Sequence, residues 1–398
     1  MPNDNQKNSK KPLGFSTRAI RVGWRRSHRD AHHDPLILTS SFRFESAEDG
    51  ADRFAKRSSG DIYTRFTNPN CTILAEKIAS LEGAQCAVTT ATGMAAINAC
   101  FLGLCGAGDH VVVAEDVFGG TSTLVDTYLP KYGIEVTRVP VDSLDLWRSS
   151  IRKNTKLFFL ESPTNPLLKV ADIPGIAQIA KNHKIIVVVD NCLPTPALSQ
   201  PLSLGATIIT HSGTKFLEGH GRTLGGVIAG PSDLVGEVIY QFIRNSGPSL
   251  SPFNAWVISS GLSTLELRMN AMSANALRIA EFLLTQPNVS KVHYPTLPGN
   301  KFSTLCAAQI KSGTPLVSFV CNGGREKAFS FLNKLEIISL SANLGDVKTM
   351  ATHPATTTHA RLRDEQKLAY GIEEGLIRIS VGLETVSDLV DDISSALA

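Results

Sequence analysis

Residues 184–215 read KIIVVVDNCLPTPALSQPLSLGATIITHSGTK, and the fold is legible in them. Ile185, Ile186, Val187, Val188 and Val189 form an unbroken β-branched run, the pattern of a strand buried on both faces of a parallel sheet. The run stops on Asp190, so a carboxylate sits at a strand's C-terminal end, the edge where open α/β sheets bind ligands. A second apolar strand, predicted over 206–210, runs out into His211-Ser212-Gly213-Thr214-Lys215 and delivers an amine and two hydroxyls to the same edge. Either a solvated lysine or a helix-capping aspartate would be ordinary alone. Following two such strands, they point to a site.

The chemistry that wants these groups together is that of pyridoxal 5′-phosphate. Lys215 would form the Schiff base, and Asp190 would keep the pyridine nitrogen protonated so that the ring accepts electrons. Other strand ends extend the set. Ala91-Thr92-Gly93-Met94 opens a predicted helix whose free N–H groups suit phosphate, alongside Ser212 and Thr214, and Gly93 lets the backbone come close. Phe118, in Asp116-Val117-Phe118-Gly119-Gly120, offers a ring to stack on a flat cofactor. Asn165 lies in the rigid turn Ser162-Pro163-Thr164-Asn165-Pro166, able to bond a phenolic oxygen or a carboxylate. Arg378 sits inside the apolar strand Leu376-Ile377-Arg378-Ile379-Ser380-Val381, where a guanidinium needs a partner such as an amino-acid carboxylate. A dinucleotide site is the rival, but in Gly219-His220-Gly221-Arg222-Thr223-Leu224-Gly225 the third glycine falls one place late and no strand-turn-helix surrounds it.

Strands are predicted at 86–89, 110–114, 135–139, 156–160, 185–189, 206–210 and 226–229, with helical patterns at 73–81, 94–104 and 173–182 between them. This alternation indicates an α/β fold with a mainly parallel, doubly covered sheet. Gly247-Pro248 and the following Ser-Leu-Ser-Pro break the pattern, and a long helix predicted over 255–284 leads into a smaller α/β unit. That unit has strands at 316–321, 337–341 and 376–381 and a last helix capped by Thr385, with Val386, Leu389, Val390, Ile393 and Leu397 on one face. The domain reading is an N-terminal arm over 1–60 that reaches over another part, disordered over 1–14, then a cofactor domain over 61–255 and a C-terminal domain over 256–398.

The chain has 398 residues, 42% hydrophobic and 19% charged, enough for a substantial core. Net charge is +3 with no block of basic residues, which argues against nucleic acid, and no run approaches the ~18 apolar residues of a membrane span. The polar start MPNDNQKNSKKPLG is not a secretory signal, so the expected location is cytoplasmic. Seven scattered cysteines and ten histidines show no CxxC or HExxH spacing, indicating reduced thiols and no metal.

Taken in order, several pieces resemble one family over residues 15–398. They are Tyr63-x-Arg65-x-x-Asn68-Pro69, Thr92-Gly93-Met94, Glu161-Ser162-Pro163-Thr164-Asn165-Pro166, Val189-Asp190-Asn191, His211-Ser212-Gly213-Thr214-Lys215, His353-Pro354-Ala355 and Arg378-Ile379-Ser380-Val381-Gly382. The family is that of the pyridoxal-phosphate enzymes of cysteine and methionine metabolism. The resemblance implies a fold type I, aspartate-aminotransferase-like transferase, commonly a homotetramer built as a dimer of dimers. It implies Lys215 as Schiff-base lysine and proton shuttle, Asp190 on the ring nitrogen, and Gly93, Met94, Ser212 and Thr214 on the phosphate. Tyr63 and Arg65 would reach the phosphate of a neighbouring subunit, and Asn165 and Arg378 would hold the substrate carboxylate.

Departures refine what the resemblance implies. Phe118 stands where most members stack a tyrosine, Gly120 where methionine γ-lyases carry a cysteine, Asn343 where a serine is common beside the substrate, and Arg222 where an acid is frequent. The stretches around Phe118, Leu250-Ser251-Pro252-Phe253 and Asn343-Leu344-Gly345-Asp346 look most like the sulfhydrylases of homoserine esters, the succinyl ester above all. The partners implied are small molecules, a homoserine ester with sulfide or cysteine. Arg222 is a candidate for the ester's second carboxylate. A regulator that binds the cofactor without catalysis would have no use for Lys215, Asp190 and Arg378 together.

Overall fold

The computed structural model describes residues 12–23, 25 and 31–398. The predicted alternation builds a sheet of seven strands: β1 (Cys86–Thr90), β2 (His110–Ala114), β3 (Glu135–Val139), β4 (Thr155–Glu161), β5 (Ile186–Asp190), β6 (Ile208–Ser212) and β7 (Gly226–Gly230). Their spatial order is β1-β7-β6-β5-β4-β2-β3. Strands β2 to β6 are parallel to one another, and β7 alone runs antiparallel, between β1 and β6. Every residue of β2 and of β7 is buried, because both faces of the sheet are covered. β7 shows the division of the two faces: Ile228 joins one core with the helix Gly93–Leu104, while Val227 and Ala229 join the other with the helices Pro69–Glu82, Pro252–Leu262 and Leu265–Leu284. The predicted apolar positions Ile73, Leu74, Ile78 and Leu81 all lie in that second core or at its edge.

The second core continues into a smaller sheet of β8 (Val289–His293), β9 (Leu316–Cys321), β10 (Ser339–Leu340), β11 (Met350–Thr352) and β12 (Leu376–Ser380), ordered β10-β11-β12-β9-β8. Its pairs are antiparallel except β10 with β11. The helices Leu265–Leu284, Gly324–Lys334 and Val386–Leu397 cover it, with Leu389 and Ile393 fully buried. Among the described residues no helix is long and apolar enough to cross a membrane.

Several expectations are corrected. The helix predicted over 255–284 is two helices, broken at Ser263-Thr264, where Arg268 turns inward and donates to the Gly261 carbonyl and the Thr264 hydroxyl beside the break and to the Phe216 carbonyl of the turn after β6. Thr385 occupies the N-cap position of the last helix but makes no capping bond. β8 and β11 were not predicted. β8 has two exposed residues and β11 has only three residues, so neither carries an apolar run. The N-terminal arm is more structured than its composition suggests: Phe15–Arg21 and Ala47–Phe54 are helices, the latter capped by Ser46 Oγ accepting the Asp49 N–H. The first of these lies on its own chain, with Ala19 buried, Ser16 on Glu266 and Arg18 on the Ser80 carbonyl. Of the stretch expected to be disordered, residues 1–11 lie outside the described residues, and 12–14 are exposed coil.

Candidate active site

At the end of β6 the chain enters a tight turn, Gly213–Leu217, in which Lys215 departs from helical geometry with φ −92° and ψ −134°. Two elements hold this turn. Arg268, 4% exposed, donates to the Phe216 carbonyl at 2.7 Å, the Leu217 carbonyl at 3.3 Å and the Gly261 carbonyl at 2.8 Å. From the other side Gly345 presses on the lysine's backbone: its φ is +84°, and a Cβ there would lie 2.6 Å from Phe216 N and 2.8 Å from Lys215 C. Only glycine meets both demands without strain. Lys215 Nζ donates to Asn343 Oδ1. Burial lowers the ammonium's pKa, and the Arg378 charge lowers it further.

Asp190 ends β5 in register with Glu161 on β4 and Thr210 on β6. Its Oδ1 accepts the Cys192 N–H at 3.0 Å, and no cation bonds to it among the described residues. Burial pushes its carboxyl up to about 6, opposed by the nearby His211. On the other face of the sheet, His211 Nε2 meets Glu82 Oε1 at 2.5 Å, and Asn191 Nδ2 donates to the same oxygen at 2.9 Å. Glu82 ends the helix Pro69–Glu82. Neither this buried trio nor Glu161 was assigned a role from the sequence. Glu161, 5% exposed, accepts the Phe118 N–H at 3.0 Å, and burial together with Asp190 holds its carboxyl well above the usual carboxylate range.

Above Asp190 the helix Gly93–Leu104 begins. Thr92 Oγ1 accepts the Ala95 N–H, which leaves the Gly93 and Met94 N–H groups at the free helix end. A Cβ at Gly93 would lie 2.7 Å from Ser212 Cβ and 3.0 Å from its Oγ, so the helix end and Ser212 share one cradle. Thr214 Oγ1 lies alongside, accepting the Gly225 N–H at 3.1 Å. Phe118 is partly exposed, and a Cβ at Gly120 would lie 2.7 Å from its ring and 3.2 Å from Met94 Sδ, so the missing side chain makes room for the ring.

Opposite the cradle, Arg378 on β12 is 1% exposed. Its Nη1 donates to Asn165 Oδ1 at 3.2 Å and its Nη2 to the carbonyls of Ala342 and Asn343 at 3.1 and 2.8 Å. Its Nε is buried without a partner, and among the described residues no carboxylate forms an ion pair with it. Burial brings its pKa down to about 10.

Lys215, Asp190, Phe118, Gly93, Met94, Ser212, Thr214, Asn165, Asn343 and Arg378 thus fall into one site. Tyr63 and Arg65 do not: Arg65 lies over the Phe66 ring at 4.8 Å and donates to the Arg244 carbonyl, and Tyr63 is 40% exposed. Arg222 is held by Glu218, with Nε 2.6 Å from Oε1, and remains half-exposed.

The site fits pyridoxal 5′-phosphate on its own terms. A buried carboxylate lacks a cation where a protonated ring nitrogen would provide one, and a glycine cradle with two free N–H groups and two hydroxyls suits a phosphate. Relatives agree. An O-succinylhomoserine sulfhydrylase of Pseudomonas aeruginosa is 46% identical over 384 residues, covering 96% of this chain and 95% of its own. An L-methionine gamma-lyase of Porphyromonas gingivalis is 39% identical, covering 96% and 97%. A Campylobacter jejuni structure described as an O-acetylhomoserine (thiol)-lyase, with N′-pyridoxyl-lysine-5′-monophosphate at its position 205, superposes with a TM-score of 0.94 at 33% identity, over 97% of this chain and all of its own. The family model described as Cys/Met metabolism PLP-dependent enzyme matches residues 16–398, and the chain belongs to that family of pyridoxal-phosphate enzymes.

Proposed function

We propose that the enzyme catalyses γ-replacement on O-succinylhomoserine, with sulfide as nucleophile, giving homocysteine and succinate for methionine biosynthesis. The observation that carries this reading is the Asn343 loop. Asn343 touches Lys215 through its side chain and Arg378 through its carbonyl, in a stretch that resembles that of the homoserine-ester sulfhydrylases. The identity to the Pseudomonas aeruginosa sulfhydrylase supports it.

The residues act as follows in this reading. The N–H groups of Gly93 and Met94 and the hydroxyls of Ser212 and Thr214 hold the cofactor's phosphate, Phe118 covers the ring face, and Asp190 keeps the ring nitrogen protonated. Tyr63 and Arg65, remote from their own chain's site, complete the phosphate pocket of a neighbouring subunit within a homotetramer. The bound cofactor supplies an electron sink that makes the substrate's Cα–H acidic. Arg378 and Asn165 bind the substrate's α-carboxylate and so fix Cα. Lys215, within reach of Asn343, would move protons at Cα, its lowered pKa favouring the neutral amine a base requires. Loss of a Cβ proton would let succinate leave Cγ, hydrosulfide would add there, and protons returned to Cβ and Cα would complete homocysteine. Phe118 brings no phenol, so Lys215 is the general base of the site. We assign 61–255 to the cofactor domain and 256–398 to the C-terminal domain, and place the enzyme in the cytoplasm, consistent with seven free cysteines.

The test is product analysis of the cofactor-loaded protein given O-succinylhomoserine or O-acetylhomoserine, with sulfide, with cysteine or with neither. Homocysteine from the succinyl ester and sulfide supports the proposal. Dominant cystathionine would make the enzyme a cystathionine γ-synthase, faster turnover of the acetyl ester an O-acetylhomoserine sulfhydrylase, and 2-oxobutyrate alone a lyase.

A further inference from the structure

Three parts of the site come from separate segments: the Phe118 loop after β2, the Asn165 turn after β4 and Asp190 at the end of β5. One side chain lies among all three. Glu161 accepts the Phe118 N–H at 3.0 Å, lies near the Asn165 backbone N–H, and stands in direct register with Asp190, so both carboxyls emerge on the same face of adjacent strands. It is 5% exposed and no cation bonds to it among the described residues.

We propose that Glu161 is a positioning residue: a single buried carboxyl group that ties the ring-covering loop and the carboxylate-binding turn to the residue on the cofactor's ring nitrogen. Two carboxyls on adjacent strand ends in a water-poor site resist ionising together, and the one beside a ring cation keeps the charge. Glu161 is therefore the neutral member, a carboxylic acid that accepts the Phe118 N–H and retains its proton. The other titratable groups whose charge acts on this pair are Asp116 on the Phe118 loop, Cys192 after β5, His211 on β6 and Arg378 on β12.

This inference rests on the cofactor assignment above, and its readouts need no homoserine ester, so they report on Glu161 whichever reaction the site performs. Two holoenzyme variants are compared with the parent by the pH midpoint of the bound cofactor's visible absorbance band and by cofactor dissociation. Glu161→Gln keeps a neutral acceptor for the Phe118 N–H, and its midpoint is expected within about 0.3 pH unit of the parent. Glu161→Met fills the volume without an acceptor, and its midpoint is expected to move by a unit or more, with cofactor dissociation at least tenfold faster. A Gln midpoint shifted by a unit would mean that Glu161 is ionised in the parent, and would overturn the proposal even if the Met variant failed to fold. A Met variant matching the parent in both readouts would reduce Glu161 to core filling and overturn it as well.

Discussion

Replacing Asp190 with asparagine separates the residue's cost from its use. In the cofactor-free protein, burial raises the carboxyl from an ordinary value of 3.8 to about 6. For an acid with a raised folded pKa, the folded state holds its proton more tightly than the unfolded chain does between those values. Stability therefore falls as pH rises through that window and is level above it. With ~1.4 kcal/mol per pKa unit, the ionised carboxylate costs the cofactor-free fold about 3 kcal/mol at pH 8 and roughly half of that at pH 5. Asparagine keeps an oxygen for the Cys192 N–H and carries no charge. The cofactor-free Asp190→Asn protein should therefore resist guanidinium better than the parent at pH 8, by up to ~3 kcal/mol, with the advantage roughly halved at pH 5. Cofactor loading should reverse the order, because the parent then gains a ring cation beside the carboxylate, and turnover of the variant should fall by at least about 100-fold. A variant no more stable at pH 8, or with an advantage independent of pH, would refute the claim that Asp190 is a carboxylate waiting for a cation.

Other substitutions test other joints. Arg268→Met removes the staple on the Phe216, Leu217 and Gly261 carbonyls and should cost about 3 kcal/mol in denaturant unfolding, with cofactor occupancy falling in parallel. Arg378→Lys keeps the charge but loses the forked geometry, and should raise KM for the amino-acid substrate about 100-fold with a smaller change in kcat, measured by steady-state kinetics. Arg222→Ala should raise KM for the succinyl ester about tenfold more than for the acetyl ester, as loss of a single charge-assisted contact would. An equal effect on both esters would remove Arg222 from the substrate pocket.

Much of the fold could be read because its strands are nearly pure in type. Val111, Val112 and Val113, or Val187, Val188 and Val189, have no other comfortable place than a doubly buried sheet, and their ends marked the site edge where Asp190 and Lys215 were found. Arg268 was missed because an arginine in an amphipathic helix reads as surface, and the carbonyls it holds come from the distant turn after β6 and from Gly261 before the break at Ser263-Thr264. Glu161 was missed for a subtler reason. It ends an apolar strand as Asp190 does, and the same argument applied one strand over would have found it; what was lacking was the register that puts the two side by side. The His211, Glu82 and Asn191 cluster could not be read at all, since its members lie up to 129 positions apart and meet only because the helix Pro69–Glu82 crosses behind β6. Tyr63 and Arg65 make their contacts with Phe66 and Arg244 and not with the site residues of their own chain, so only the family resemblance gave them a role.

The most direct measurement follows homocysteine and 2-oxobutyrate together as sulfide is raised at saturating O-succinylhomoserine. The account predicts that homocysteine rises to account for nearly all succinate released, while 2-oxobutyrate falls towards zero. Succinate release matched by 2-oxobutyrate at every sulfide concentration would contradict it, and would make this site one that eliminates without replacement.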